Sequence, residues 1–339
     1  MNNVKLKAAV LGYGRNGSTM HADAIEKSDE FVLTAVCDIE ENARNKAHKR
    51  FNCRVYEDYH DMLKKEELDI VVIVTRSSRH CEMACGCLEA KKNVLVTKPW
   101  ALDCSQAEKM IAAAKSSGKL LLPWLPARWG CDLLRLRELI ASGVIGKVFQ
   151  IKRSQYSFAV RNDWQTQKEY GGGYLLNWGP HLVDQPVQLL GQPVKSVYAE
   201  MRHLINLGDA EDIFYAVIKT DDGVIIVSEY NLCADKLPNW VVQGDRGTIF
   251  IKENEIEIHR AVLPATADSN SYGTAAKIEI TTETVNGDRY GDADIIYAHI
   301  AAALRGENQY GVSTGSALNL TKILDAVRQS NETGQVVFI

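Results

Sequence analysis

Residues 5–12, Lys-Leu-Lys-Ala-Ala-Val-Leu-Gly, run directly into Gly12-Tyr13-Gly14-Arg15-Asn16-Gly17. The first segment is a short apolar run suited to a buried parallel strand. The second is G-x-G-x-x-G, and from Ser18 to about Ser28 the pattern turns helical. A second strand, Phe31 to Cys37, ends on Asp38, 21 positions after Gly17. Strand, glycine turn, helix, strand and acid at this spacing make a dinucleotide-binding fingerprint. Gly12 allows the tight turn, Gly14 lets the backbone approach a pyrophosphate, and Gly17 permits close helix–strand packing. The exposed N–H groups of this loop, which includes Tyr13, Arg15 and Asn16, hold the phosphates at the helix start. Asp38 accepts hydrogen bonds from a ribose diol and repels a 2′-phosphate, and Ile39 offers no cation to hold one. NAD is therefore expected over NADP, with Arg15 and Arg44 as the cations able to weaken that preference.

The alternation continues beyond Asp38. Helices are predicted at about 40–50, 58–65, 79–90 and 103–117, with strands at Ile70–Val74, Val94–Thr97 and Leu120–Trp124. This predicts a doubly wound parallel sheet, in which ligands bind beyond the carboxyl ends of the strands. Thr75, Arg76 and Lys98 stand at such ends. Pro123 and Pro126 mark a boundary, giving a Rossmann-like domain over 1–124 and a second domain over 125–339. The second opens with a helix, Cys131 to Ala141, and a strand, Val148 to Phe158. After a further helix come strands at Val194–Arg202, Asp212–Lys219, Val224–Tyr230, Trp240–Gln243, Thr248–Lys252 and Glu255–His259. Strands in succession predict an α+β domain with a large, mostly antiparallel open sheet. Residues 263–276 are small and polar and are read as a mobile loop. Helices at about 292–305 and 315–330 and a short strand close the chain.

The 339 residues suit two domains, and 46% hydrophobic with 24% charged residues is ordinary for a globular protein. A net charge of −4 argues against nucleic acid or an anionic membrane as partner. No apolar stretch approaches a membrane span, and the N-terminal apolar run is one strand long, so it is not read as a signal peptide. The eight scattered cysteines suit free thiols in a cytoplasm. Cys81, Cys85 and Cys87 lie close together without a C-x-x-C pair, so no metal site is expected.

Residues 171–184, Gly-Gly-Gly-Tyr-Leu-Leu-Asn-Trp-Gly-Pro-His-Leu-Val-Asp, carry the second chemical signal. On a helix opened by the glycine run, Asn177 and His181 project from one face, and Asp184 falls on the same stripe. An imidazole beside a short polar side chain is the arrangement a general acid/base needs, although a buried, satisfied histidine gives the same spacing. Arg161, Asp163 and Trp164 sit in the loop before the glycine run, placed either to contact substrate hydroxyls or to be solvated.

Three motifs in order, Gly12-x-Gly14-x-x-Gly17, Lys98-Pro99 at the end of the Val94–Thr97 strand, and Gly171-Gly172-Gly173 with His181, resemble the Gfo/Idh/MocA oxidoreductases. The resemblance spans nearly the whole chain, including Gly143-x-x-Gly146 and the closing helices. Gly12 to Ala22, Arg128-Trp129 and His181 to Gln185 are most similar to the branch that includes scyllo-inositol dehydrogenases, which places Arg128 among the expected substrate contacts. The resemblance implies NAD or NADP in the first domain and oxidation of a sugar or cyclitol hydroxyl, or reduction of the ketone. It also implies a homo-oligomer, dimer or tetramer, built through the open sheet. Lys98 matches the family's active-site lysine and His181 its acid/base histidine, while Asp38 and His80 match cofactor-side positions. A cation at Lys98 would stabilise developing alkoxide charge.

Two residues depart from the family pattern. Thr97 stands where Glu usually precedes Lys-Pro, and Asn177 stands where Asp usually lies four residues before the histidine. An amide orients an imidazole but supplies no charge. The chain is read as a cytoplasmic, NAD-dependent dehydrogenase of a sugar or cyclitol, with a non-catalytic NAD-binding sensor and an NAD-dependent glycosidase on the same scaffold as the alternatives.

Overall fold

The computed structural model describes residues 4–266 and 272–339, so part of the predicted 263–276 loop lies outside the described residues. Two compact units emerge. One comprises residues 1–126, 167–172 and 292–322, and the other 127–166, 173–291 and 323–339. The units are interleaved rather than strictly sequential, since two later segments rejoin the first.

The first unit is built on six strands: β1 (Leu6–Leu11), β2 (Phe31–Cys37), β3 (Arg54–Tyr56), β4 (Ile70–Ile73), β5 (Asn93–Val96) and β6 (Leu121–Pro123). Their order is β3-β2-β1-β4-β5-β6 and every pairing is parallel. This is the doubly wound order, and its topological switch lies between β1 and β4. The central strands are apolar runs because both faces are covered: Ile70 to Ile73 are all fully buried. Helices α1 (Asp23–Lys27), α2 (Glu41–Phe51), α3 (Tyr59–Lys65), α4 (His80–Glu89) and α5 (Cys104–Ser117) connect them. The helix predicted from Ser18 to Ser28 is a π-type turn over Gly17–Ala22 followed by α1. It carries the fully buried His21, whose Nδ1 lies 3.0 Å from the Tyr297 hydroxyl. Strand β3 was not predicted: three residues are too few to show a period.

The second unit contains α6 (Cys131–Ala141), β7 (Val148–Tyr156), α7 (Tyr174–Leu182), α8 (Asp184–Leu190) and strands β8 (Val194–Arg202), β9 (Ile213–Thr220), β10 (Ile225–Asn231), β11 (Trp240–Gly244), β12 (Gly247–Lys252), β13 (Glu255–Val262) and β14 (Lys277–Thr284). Helix α9 (Ala293–Leu304) belongs to the first unit, and α10 (Thr314–Thr333) and β15 (Val337–Phe338) end the sequence. The nine-stranded sheet runs β14-β13-β12-β11-β7-β10-β9-β8-β15 and is antiparallel except for β10 beside β7. Ile151, Trp240, Val242, Ile249 and Ile256 face α6, where Leu133 and Leu136 complete a buried core. On the opposite face Val217, Val227, Lys152, Val241 and Phe250 form one rung across five strands and stay only half-buried. On β10, Ile225 and Val227 keep partial exposure on this face of the single chain.

Candidate active site

In the first unit, β1 ends at Leu11 and the backbone turns at Gly12 with φ of +94°, a region that side chains with a Cβ avoid. A Cβ at Gly17 would lie 1.9 Å from the Gly12 carbonyl oxygen, so close packing of the turn on the following helix demands glycine there. At Gly14, by contrast, a Cβ would meet nothing within 4 Å. The backbone thus packs tightly at two of the three glycines and leaves open space at Gly14, the one expected to face a pyrophosphate. Asp38 joins this loop directly. Its Oδ2 accepts the Tyr13 backbone N–H at 2.6 Å and its Oδ1 that of Glu40 at 2.9 Å. Each oxygen retains a second lone pair for a ribose hydroxyl. Arg44 donates to the carbonyls of Asp38 and Ile39 at 2.8 and 2.9 Å and lies 3.5 Å from Glu57. It therefore braces the loop. Between the glycine turn and α2 is a cavity of about 460 Å³, lined by Tyr13, Gly14, Arg15, Ser18, Glu40 and Lys46 among others. The residues fit an adenine dinucleotide.

Beyond β4 and β5 the remaining first-unit residues collect. Thr97 is buried, and its hydroxyl donates to the Ile73 carbonyl at 2.9 Å, spending on strand β4 the position that the family gives to a carboxylate. Lys98 follows, joined to Pro99 by a cis peptide bond. His80 is fully buried, with Nδ1 2.8 Å from the Pro99 carbonyl and Nε2 3.1 Å from that of Thr75. Burial lowers its pKa, with the two carbonyls pulling the other way. A neutral imidazole carries one N–H, so His80 donates to one of these two carbonyls, between the turn after β4 and the turn that carries Lys98. The Arg76 guanidinium lies 4.0 Å over the Tyr170 ring, and Thr75 bonds the Met83 sulfur at 3.4 Å.

In the second unit the glycine run opens α7 as expected. Gly173 adopts φ of +108°, and a Cβ there would strike the Glu211 carboxylate at 2.3 Å. Glu211 instead receives the first turn of the helix: its carbonyl accepts from Tyr174 N at 3.0 Å and its Oε1 from Leu175 N at 3.1 Å. A carboxylate at a helix N-terminus is favourable for both hydrogen bonding and the helix dipole. No spacing rule links Glu211 to this helix, so it escaped the sequence. Asn177 and His181 stand one turn apart, and His181 is 6% exposed. Its ring is flanked by Trp178 at 5.9 Å and Tyr290 at 5.1 Å between centroids.

Asp184 begins α8 one residue after α7 ends at Leu182, and the Val183 between them is itself helical, with φ of −88° and ψ of −44°. Arg128, expected to meet substrate, is buried and clamps Asp184 through two bonds of 2.8 Å. A buried bidentate pair of this kind fixes geometry and leaves neither charge uncompensated. Arg161 is partly exposed and bonds Asp163 at 2.5 Å and Gln165, while Trp164 begins a short 3-10 turn. Among the described residues no group of three or more His, Cys, Asp or Glu side chains is arranged to hold a metal ion. Burial raises the Cys85 and Cys87 thiols, to about 11 and about 12, which makes them inert packing groups.

Comparison with known proteins agrees with this geometry. Residues 6–123 match the oxidoreductase family with an NAD-binding Rossmann fold, and residues 133–250 match the GFO/IDH/MocA C-terminal domain. The chain belongs to the Gfo/Idh/MocA oxidoreductase family, and its first unit is an NAD-binding Rossmann domain. It is 24% identical to the scyllo-inositol 2-dehydrogenase (NADP(+)) IolW of Bacillus subtilis, covering 98% of this chain and 96% of that one. It is 32% identical to the D-glucoside 3-dehydrogenase of Escherichia coli over 59% of this chain and 58% of the relative. An NAD-binding protein from Listeria innocua has a similar structure, with a TM-score of 0.86 at 25% identity over 99% of this chain and 97% of the other.

Proposed function

We propose that this protein is an NAD-dependent dehydrogenase that interconverts a secondary hydroxyl of a sugar or cyclitol with the ketone. The observation that carries the reading is His181, a nearly buried imidazole one helical turn from Asn177, on a helix whose start is fixed by Glu211. When bound, NAD supplies the hydride acceptor. The protein's own residues do the rest. Asp38 holds the ribose diol, and the open backbone at Gly14 receives the pyrophosphate. Lys98 donates a hydrogen bond to the reacting oxygen and stabilises alkoxide character as it develops. His181 takes the hydroxyl proton in oxidation and returns it in reduction, with Asn177 orienting the ring. The inositol and glucoside dehydrogenases among its relatives support this substrate class. Incubating the protein with NAD and a panel of polyols tests it. Growth of the reduced-nicotinamide absorbance supports the reading, and NAD binding without reduction by any polyol overturns it.

A second reading, a non-catalytic NAD-binding sensor, is favoured by one specific feature: neither Thr97 nor Asn177 brings a carboxylate to the proposed reacting centre. The same assay separates the two, since a sensor binds NAD and leaves it oxidised.

The half-buried sheet face of the second unit supports a homo-oligomer. Val217, Val227, Val241 and Phe250 are apolar side chains in register, flanked by exposed Ile278 and Ile280 on the edge strand. A second copy covers such a face by the symmetry of a closed dimer. A strictly monomeric mass at micromolar concentration would exclude it. All eight cysteines are free thiols, which supports a reducing, cytoplasmic location.

A further inference from the structure

The rings around His181 form a continuous aromatic wall within the second unit. Tyr174 packs on Tyr230 at 4.4 Å between centroids, and Tyr230 on Trp178 at 5.2 Å with the rings inclined by 31°. Trp178 then meets Tyr290 edge-on at 5.8 Å, and Tyr290 closes on His181 at 5.1 Å. The wall is asymmetric in exposure. Tyr174 and Tyr230 are buried and serve as backing, whereas Trp178 and Tyr290 each keep part of their surface open. Both outer rings are held firmly. Trp178 rides on α7 three residues before His181, so it is fixed relative to the imidazole. The Tyr290 hydroxyl reaches Gln155 Oε1 at 3.3 Å, and its backbone N–H donates to Asp288 Oδ1 at 2.7 Å. The Asp288 carbonyl in turn accepts from Cys131 N at 3.1 Å, anchoring that turn to the start of α6.

Open, preorganised aromatic surface beside a proton-transferring group has a chemical preference. It favours a ligand with one flat apolar face and polar groups around its rim. A six-membered polyol ring with equatorial hydroxyls has that shape, because its axial C–H groups project from the ring face and its hydroxyls radiate from the edge. An acyclic polyol carries the same groups but must freeze several torsions to present such a face. We propose that Trp178 and Tyr290 are specificity-determining residues that seat the axial C–H face of a ring-shaped polyol, selecting cyclic over acyclic substrates. This rests on the sugar or cyclitol reading above, which does not itself say how the ring is recognised.

The test uses the full-length protein with NAD and three probes: scyllo-inositol, methyl β-D-glucopyranoside and the acyclic polyol D-glucitol. Saturation-transfer NMR reports binding, and NAD reduction reports turnover. The two ring compounds are expected to receive strong saturation at their axial C–H protons and D-glucitol little. Trp178→Ala is expected to weaken the ring compounds about 5- to 10-fold, with NAD and D-glucitol affinity unchanged within about twofold and Trp178→Phe restoring most of the loss. If Trp178→Ala loses its near-ultraviolet circular dichroism, Tyr290→Leu carries the same test. Unchanged ring affinity in these variants, equal losses for ring and acyclic probes, or no ring binding by the parent protein overturns the proposal. The two readings fail separately. Ring compounds that turn over with unaltered KM in Trp178→Ala leave the dehydrogenase standing and remove the platform. Ring compounds that bind through the wall without reducing NAD leave the platform and remove the dehydrogenase.

Discussion

Asp38 accepts the backbone N–H of Tyr13 at 2.6 Å, so the acid that follows β2 also fixes the glycine turn that follows β1. On the proposed reading, this one side chain couples cofactor choice to the shape of the phosphate loop. Asp38→Ala removes the ribose acceptor and the repulsion of a 2′-phosphate together. NAD affinity is expected to fall by on the order of 1–3 kcal/mol, with a smaller loss for NADP, so the gap between them narrows. Titration of parent and variant with both cofactors checks this; equal affinity of the parent for NAD and NADP would remove Asp38 as the determinant.

The glycines of the loop separate folding from binding. Gly17→Ala places a methyl 1.9 Å from the Gly12 carbonyl oxygen, which requires the turn or helix to move. Gly14→Ala meets nothing within 4 Å. Thermal unfolding without cofactor is expected to show Gly17→Ala destabilised by about 2 kcal/mol or more and Gly14→Ala near the parent. Both variants are expected to bind NAD poorly, Gly14→Ala because its methyl occupies the space needed for the pyrophosphate. Parental NAD affinity in Gly14→Ala would place the phosphates elsewhere.

Local pattern explains what was legible in the amino-acid order. The strand-turn-helix at Gly12 to Gly17 and the four-residue step from Asn177 to His181 are set by backbone geometry over a few residues, and both survive in the fold. What escaped the sequence depends on distant partners. Arg128 lies 56 residues before Asp184, and only the folded protein shows that the two neutralise each other. Glu211 reaches the start of α7 from 36 residues beyond Leu175. Strand β14, with its Thr- and Glu-rich alternation, exists because β13 offers it an edge.

His21 makes acid stability a measurable property of the first unit. It is fully buried, and burial lowers its pKa from 6.5 to about 3. The unfolded protein therefore takes up the proton first as pH falls. Stability from the neutral ring is fully present above about pH 6.5 and is lost progressively toward pH 3, by a total on the order of 5 kcal/mol. The lowered pKa of His80 acts with the same sign. Denaturant midpoints measured from about pH 8 to about pH 4 are expected to fall, and His21→Leu to flatten that slope whatever its stability at the alkaline end. A slope unaltered in His21→Leu would assign the acid lability to other groups.

Lys98 is expected to matter to turnover far more than to cofactor binding. It follows β5 in the turn whose Pro99 carbonyl lies 2.8 Å from His80 Nδ1. Lys98→Met removes the donor to the reacting oxygen, so kcat is expected to fall by about 10²–10³-fold, the scale of losing one oxyanion donor. NAD affinity is expected to stay within a few-fold of the parent. Retention of most activity on the polyol that proves to be substrate would refute the assignment.

Asn177 bears most directly on whether the site is an active dehydrogenase. It lies one turn before His181, the spacing from which a side chain can orient the imidazole, but as an amide it brings no negative charge to stabilise an imidazolium. In the serine-protease triad, exchange of the orienting Asp for Asn keeps the geometry and costs about 10⁴ in turnover. The cost here is expected to be smaller, because in the proposed mechanism Lys98 shares the charge that develops on the substrate oxygen. Asn177→Asp restores a carboxylate at that position and is expected to raise kcat on a polyol by at least about tenfold. The measurement is kcat against pH for parent and variant on the same substrate. A variant no faster than the parent, together with a parent that reduces no NAD with any polyol, would move the protein from the dehydrogenases to the sensors.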